Sequence, residues 1–216
     1  MIFKLNNEIA FPDPRLGEPD GLFAIGGDLK PERLLLAYQY GIFPWYSFRN
    51  KVIMWYCPME RFVIFPEKIK ISHSMRNVLN KNIFTCTINQ DFAAVIQNCS
   101  IANGRSEQDG AWLGPDMIAA YKHLHNIGFA TSVEVWHDSR LVGGLYGVTI
   151  GRAFFGESMF SLLPNASKMA LIFLARLMAE SKGLFIDCQF ETEHLKSMGG
   201  EVISYNEYMA MLKSDV

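Results

Sequence analysis

Three consecutive stretches decide how this chain folds: Thr131-Ser132-Val133-Glu134-Val135-Trp136-His137, Leu141-Val142-Gly143-Gly144-Leu145-Tyr146-Gly147-Val148, and Arg152-Ala153-Phe154-Phe155-Gly156-Glu157-Ser158-Met159-Phe160. Each is β-branched or aromatic-rich, and turn residues separate them at Asp138-Ser139 and Ile150-Gly151, which predicts an antiparallel meander. Working outward, a long apolar helix is expected over 166–180, a buried strand over 184–190 and a helix over 192–198 ended by Gly199-Gly200. Upstream, strands are expected at 62–65 and 84–88, and helices at 72–80, 92–99 and from Pro115 to Gly128. Helices, then a meander, then β-α-β-α is an α+β order, with a mixed, largely antiparallel sheet.

The first sixty residues have another texture. Pro12-Asp13-Pro14, Gly17, Pro19-Asp20-Gly21 and Gly26-Gly27-Asp28 are turn signals. One helix stands out, opened by Pro31, with Leu34, Leu35 and Tyr38 on one face and Gly41 to end it. The segments Ile42-Phe43-Pro44-Trp45-Tyr46 and Met54-Trp55-Tyr56-Cys57-Pro58 suggest a small irregular lobe. The expected division is therefore 1–58 and 59–216.

Composition narrows the classes. Among 216 residues, half are hydrophobic and 19% charged, enough for a sizeable core. No apolar run approaches the ~20 residues of a membrane span, and no secretion signal is visible at Met1-Ile2-Phe3-Lys4-Leu5. Cys57, Cys86, Cys99 and Cys188 form no C-x-x-C pair, so reduced thiols and a cytoplasmic location are expected. A net charge of −2 gives no general sign of nucleic-acid binding. Locally, Arg61, Lys68, Lys70, Arg76 and Lys81 face only Glu67 between 61 and 82, which reads equally as an ordinary solvated face.

Few residues could carry chemistry. Along Ile186-Asp187-Cys188-Gln189, strand alternation places Asp187 and Gln189 on one face and Ile186 and Cys188 on the other. That pairing is either a proton acceptor beside a hydrogen-bond donor or a strand end emerging into solvent. Glu157 stands among aromatic residues and methionine, where a carboxylate needs a partner: a cationic substrate group or an internal Lys or Arg. Trp45, Trp55, Trp112 and Tyr121 are core candidates first, although Trp45 and Trp112 lie in loop-like contexts suited to stacking. His123 and His125 are two apart on a helix and cannot share a metal. Cys188 has no activator nearby in sequence and reads as inert. The turn at 161–165, Ser161-Leu162-Leu163-Pro164-Asn165, stands where a coenzyme A-dependent enzyme of this fold would carry a glycine-rich pyrophosphate loop and contains no glycine, which argues against an acetyl-coenzyme A enzyme.

Taken together, several strings resemble the leucyl/phenylalanyl-tRNA–protein transferase family. They are Gly26-Gly27-Asp28-Leu29 with Gly41-Ile42-Phe43-Pro44-Trp45, Ser132-Val133-Glu134-Val135-Trp136, Leu141-Val142-Gly143-Gly144-Leu145-Tyr146-Gly147, Gly156-Glu157-Ser158-Met159-Phe160-Ser161, Asn165-Ala166-Ser167-Lys168, and Ile186-Asp187-Cys188-Gln189. The match runs in order along nearly the whole chain.

The resemblance implies a small N-terminal domain and a larger GNAT-like acyltransferase domain. It implies transfer of leucine, phenylalanine and, less well, methionine from aminoacyl-tRNA to proteins beginning with Arg or Lys, marking them for N-end rule degradation. No metal and no cofactor are implied, and a monomer is expected. Asp187 and Gln189 would be the catalytic pair, and Trp45 and Trp112 would hold the terminal adenosine. Leu145, Phe154 and Leu171 would line the amino-acid pocket, with Tyr38, Tyr121 and Glu157 also at the site. His73, Arg76 and Lys81 would meet the tRNA backbone.

Two departures from the family pattern stand out. Leu145 replaces an expected methionine, a small volume change that should preserve leucine and phenylalanine while altering methionine acceptance. Asn77 and Asn80 interrupt the basic helix, so weaker and less salt-dependent RNA binding is expected. The competing classes are a coenzyme A-dependent N-acetyltransferase, which needs the missing loop, and a non-catalytic RNA-binding adaptor, which needs neither Asp187 nor Gln189.

Overall fold

The computed structural model describes residues 1–47, 52–101 and 113–214. Its centre is a seven-stranded sheet with the strand Glu201–Ser204 at one edge and Thr85–Ile88 at the other. The meander is β7 (Ala130–His137), β8 (Arg140–Ile150) and β9 (Ala153–Ser161), paired antiparallel. β6 (Thr85–Ile88) extends it beyond β7. β10 (Ile186–Gln189) adds parallel to β9 after a crossover through helix α5 (Ala166–Glu180). β5 (Glu60–Ile64) and β11 (Glu201–Ser204) close the other edge antiparallel. β9–β10 is thus the parallel pair in an otherwise antiparallel sheet, the mixed α+β arrangement expected.

Period-2 alternation gives the sheet two apolar faces. On one, Leu145, Phe154 and Ile186 pack with α5, with Met75 of α2 (His73–Asn80) and with Leu195 of α6 (Glu193–Ser197). On the other, Tyr146, Val148 and Phe155 pack with α1 (Pro31–Gln39), α3 (Phe92–Ile101), α4 (Pro115–Asn126) and α7 (Tyr205–Lys213). Close packing has local demands. At Gly143, an added Cβ would come within 2.5 Å of Ala166 Cβ at the start of α5, so only glycine lets that helix lie down on β8.

The lobe expected to be irregular is instead a four-stranded sheet, ordered β1-β2-β4-β3, built from β1 (Phe3–Leu5), β2 (Leu22–Gly26), β3 (Phe43–Ser47) and β4 (Val52–Tyr56). Pro44 is tolerated because β3 is an edge strand, where a missing N–H breaks no inner ladder. Buried Arg33 of α1 pins the first residues here, donating to the carbonyls of Asn6 at 2.8 Å and Glu8 at 2.9 Å. Phe23, Ala24 and Trp55 of this sheet share one continuous core with Val95, Tyr121 and Tyr146, so the two sheets pack as one body.

One buried carboxylate explains how α3 docks on the meander. Glu134, fully buried on β7, accepts the hydroxyls of Ser132 at 2.5 Å and Thr87 at 2.7 Å. It also accepts the backbone N–H groups of Gln90 at 3.2 Å and Asp91 at 3.4 Å, where the chain enters α3. Negative charge at a helix N-terminus is favourable, and four donors compensate its desolvation. Glu134→Ala strands those donors, and a loss of about 3 kcal/mol is expected in urea denaturation, with Glu134→Gln costing less.

Candidate active site

Glu157 and Gln189 reach the site through two adjacent irregularities in the sheet. On β9 the register runs from Tyr146 opposite Ser158 to Gly147 opposite Gly156, leaving Glu157 as an extra, unpaired residue. On β10 it runs from Asp187 opposite Val63 to Gln189 opposite Phe62, leaving Cys188 extra. Gln189 adopts the left-handed region, with φ of 65°. A bulge of this kind bends its strand and re-aims a side chain. Here two bulges on neighbouring strands turn Glu157 and Gln189 toward each other, with Gln189 Nε2 donating to Glu157 Oε1 over 3.4 Å.

Among the described residues, Glu157 has neither Lys nor Arg for a hydrogen-bonding partner. Its Oε1 faces the hydroxyl of Tyr38 on α1 at 2.7 Å and its Oε2 the hydroxyl of Tyr121 on α4 at 2.6 Å. The two hydroxyls lie 2.7 Å apart. Three short oxygen–oxygen contacts need three protons, and two tyrosines supply two. The third contact is satisfied only when the carboxyl is itself protonated, closing a ring in which each hydroxyl donates to the next. Burial is the main cause that pushes the Glu157 pKa up to about 7. The tyrosine hydrogen bonds oppose that shift and the charge of Asp187 adds to it. Burial, and next the charge of Glu157, hold both tyrosines well above their ordinary range, so each remains a protonated donor.

Asp187 is occupied. Arg61 of β5 donates Nε to Oδ1 at 2.8 Å and Nη2 to Oδ2 at 2.7 Å. The Tyr208 hydroxyl of α7 adds to Oδ2 at 2.7 Å, and the Gln189 backbone N–H to Oδ1 at 2.8 Å. Asp187 is fully buried and Arg61 is 1% exposed. Despite the extra residue at Cys188, the faces read from the sequence are kept: Asp187 meets Tyr208 of α7 and Gln189 meets Glu157, whereas Ile186 and Cys188 pack in the cluster of α5 and α6. The expected role of Asp187 as acceptor for an incoming amine does not fit this geometry, because Oδ1 already carries two donors and Oδ2 three. Arg61 likewise stands apart from the solvated basic face expected of its neighbours in sequence.

A cavity of about 590 Å³ opens beside these groups. Leu145, Phe154, Met159, Leu171, Ile186 and Leu195 form its apolar part, while Glu157, Asp187 and Gln189 border it on the polar side. Half-buried Trp45 also lines it. Of the residues singled out in the sequence for different parts of a site, Trp45, Leu145, Phe154, Leu171, Glu157, Asp187 and Gln189 line this one cavity. Tyr38 and Tyr121 stand behind Glu157 without lining the cavity. Trp112 lies outside the described residues. Trp55 is core, its indole donating to the Gly26 carbonyl at 2.8 Å. Cys188, expected to be inert, does line the cavity, and burial pushes its thiol above the ordinary range. Among the described residues, no group of three or more His, Cys, Asp or Glu side chains is arranged to hold a metal ion.

His73 and Arg76 of α2, and Lys81 just past its C-terminus, are exposed on the side of the molecule that carries α5. Arg76 opens onto a second, polar groove together with Asn80, Asn82 and Arg176 of α5. Sequence reasoning missed Arg176, Arg61 and Tyr208. Arg61 entered the sequence reading only as one charge of the basic run between 61 and 82, and the strand was expected to begin one residue after it.

A family model described as leucyl/phenylalanyl-tRNA protein transferase matches residues 63–213, and one for the N-terminal domain of the same family matches 27–59. The chain belongs to the leucyl/phenylalanyl-tRNA–protein transferase family. This is a family of aminoacyltransferases. A member from Syntrophobacter fumaroxidans is 48% identical over 215 residues, covering 100% of this chain and 91% of its own. One from Nitrosomonas eutropha is 49% identical, covering 98% and 90%. One from Flavobacterium psychrophilum is 48% identical, covering 97% and 98%. Among solved structures, the chain is similar to a GCN5-related N-acetyltransferase from Kribbella flavida at 10% identity and a TM-score of 0.40. That likeness covers 82% of this chain and 63% of that one, less than two thirds of its length. No helix among the described residues is long and apolar enough to cross a membrane.

Proposed function

We propose that this chain transfers leucine or phenylalanine, and methionine less well, from aminoacyl-tRNA to the α-amino group of proteins beginning with Arg or Lys, marking them for N-end rule degradation. The observation that carries this reading is one cavity with an apolar end and a carboxyl–amide pair at its edge. The apolar end takes an unbranched or γ-branched side chain, and its volume suits a ligand of aminoacyl-nucleoside size. Trp45 at its wall offers a face for the terminal adenosine, with Trp112 as the expected second platform. Base stacking on such a ring is worth ~1–3 kcal/mol. The RNA backbone would run past His73, Arg76 and Lys81, with Arg176 adding a guanidinium to the Arg76 groove.

The ester of aminoacyl-tRNA is already activated, so the protein chiefly has to orient the amine and move a proton. The attacking nitrogen bonds to the ester carbonyl carbon, guided by the Gln189 side-chain carbonyl as hydrogen-bond acceptor. Its surplus proton passes to ionised Glu157. Protonation closes the Glu157–Tyr38–Tyr121 ring, so the site gains a hydrogen bond as it takes the proton. The tetrahedral intermediate then breaks its bond to the ribose oxygen, and the ring returns a proton to that oxygen as it leaves. An amide replaces an ester, and Glu157 ends ionised as it began. A pKa near 7 suits a group that must both accept and return a proton. Asp187 touches no reacting atom in this scheme and serves by holding Gln189.

Incubation with radiolabelled Leu-tRNA and two peptides, one starting with Arg and one with Ala, tests the reading. Label is expected on the Arg peptide alone. Equal labelling would refute the acceptor rule, and acetylation of either peptide from acetyl-coenzyme A would overturn the reaction class.

A further inference from the structure

Gln189 sits in a backbone conformation that disfavours an L-residue by roughly 1 kcal/mol, so its surroundings must over-determine it. The nearest constraint is its own N–H, held by Asp187 Oδ1 at 2.8 Å. That oxygen stays in place only as long as the carboxylate cannot rotate. Arg61 grips both oxygens in a fork, and Tyr208 holds Oδ2 from the opposite element at 2.7 Å. The guanidinium of Arg61 lies between the Phe43 and Tyr208 rings, 4.8 and 5.1 Å from their centroids.

Tyr208 is itself fixed. The start of α7 carries a reciprocal cap between Ser204 and Glu207. The Tyr205 hydroxyl donates to the Tyr40 carbonyl at 3.1 Å. The Tyr208 ring lies against the backbone of Gly41, where φ is +70° and an added Cβ would stand 2.7 Å from ring atom Cε1.

We propose that Arg61 of β5 and Tyr208 of α7 are positioning residues for transfer, acting through Asp187 to hold the left-handed turn that aims the Gln189 amide at Glu157. Neither touches the substrate. The inference rests on the transfer reading above. It assigns α7, which contributes nothing to the cavity lining, a share in alignment at the site.

The test is a double-mutant cycle on the full chain, with steady-state transfer from Leu-tRNA to an Arg-initiated peptide and amide hydrogen exchange at Gln189 as readouts. Tyr208→Phe keeps the ring and its packing, so the fold survives. It is expected to lower kcat about tenfold, leave KM for Leu-tRNA within about twofold, and speed Gln189 exchange. In a Gln189→Ala background the same substitution should change kcat by less than about twofold, because its effect passes through Gln189. An equal loss in both backgrounds, a loss carried by KM, or unchanged exchange at Gln189 would overturn the proposal while leaving the transfer reading intact. A wild-type chain that transfers nothing would overturn that reading, and the proposal with it.

Discussion

Glu157→Gln should abolish most transfer, by about 100-fold or more in kcat, without weakening the fold. Glutamine has the shape and hydrogen-bonding pattern of a protonated glutamic acid. Its amide N–H can donate to one tyrosine hydroxyl while its carbonyl accepts from the other, so the ring with Tyr38 and Tyr121 stays permanently closed. Nothing is then left to receive the proton of the amine. The pH dependence carries the same signature. In the wild-type chain Glu157 ionises at about 7, so its contribution to kcat rises through that pH and then levels. The variant should lose this component and keep only that of the amine.

Stability moves the other way. Folded Glu157 keeps its proton up to about pH 7, whereas in the unfolded chain it releases it near the ordinary value of 4.5. Between these values the folded state binds more protons, so its stability falls as pH rises. Above pH 7 the buried carboxylate is a liability of up to about 3 kcal/mol, which glutamine removes. Glu157→Gln should therefore match or exceed the wild-type Tm at pH 8, read by calorimetry. A fall in Tm comparable to the loss in rate would show that the carboxylate holds the fold instead of doing chemistry.

Arg61→Met should have the largest effect on the fold, about 3–5 kcal/mol in urea denaturation. The guanidinium neutralises a carboxylate that water cannot reach, and removing it leaves Asp187 charged, buried and short of two donors. The companion variant separates charge from packing. Replacing the pair together, Arg61→Met with Asp187→Leu, removes both desolvation penalties and should recover most of the stability. Transfer should stay lost in that recovered fold, because an aliphatic side chain in place of Asp187 has no oxygen to hold the Gln189 N–H. Recovery of both stability and activity would contradict the clamp.

The meander was legible because its strands are long, β-branched and separated by turn residues. α5 was legible because Ala166–Glu180 is apolar on a helical period. Strands β1, β2 and β11 were not, being three to five residues long and dependent on partners distant in sequence. α7 carries only Tyr208, Met209 and Leu212 on its buried face, too few to announce it. At the site, alternation correctly joined Asp187 with Gln189. It could not reveal the bulges at Glu157 and Cys188, since an unpaired residue leaves no mark on composition. Nor could it reveal that Arg61 would take up Asp187, since the two are 126 positions apart. The carboxylate that looked most available was the one already committed. The one lacking an obvious partner was free to titrate.

The hydrogen bonds at the heart of the site link residues 83, 119 and 126 positions apart. No short segment of the chain can form such contacts, so the entropy of closing these long loops has to be met before the contacts stabilise anything. An emerging nascent chain holds Tyr38 and Glu157 well before the ribosome has made Tyr208. On the proposed reading, the turn that aims Gln189 is held only once α7 has been synthesised and docked, because Tyr208 then reaches Asp187. On that reading, a copy that has not yet docked α7 lacks the hydrogen bond from Tyr208 to Asp187 and leaves the Gln189 turn unheld.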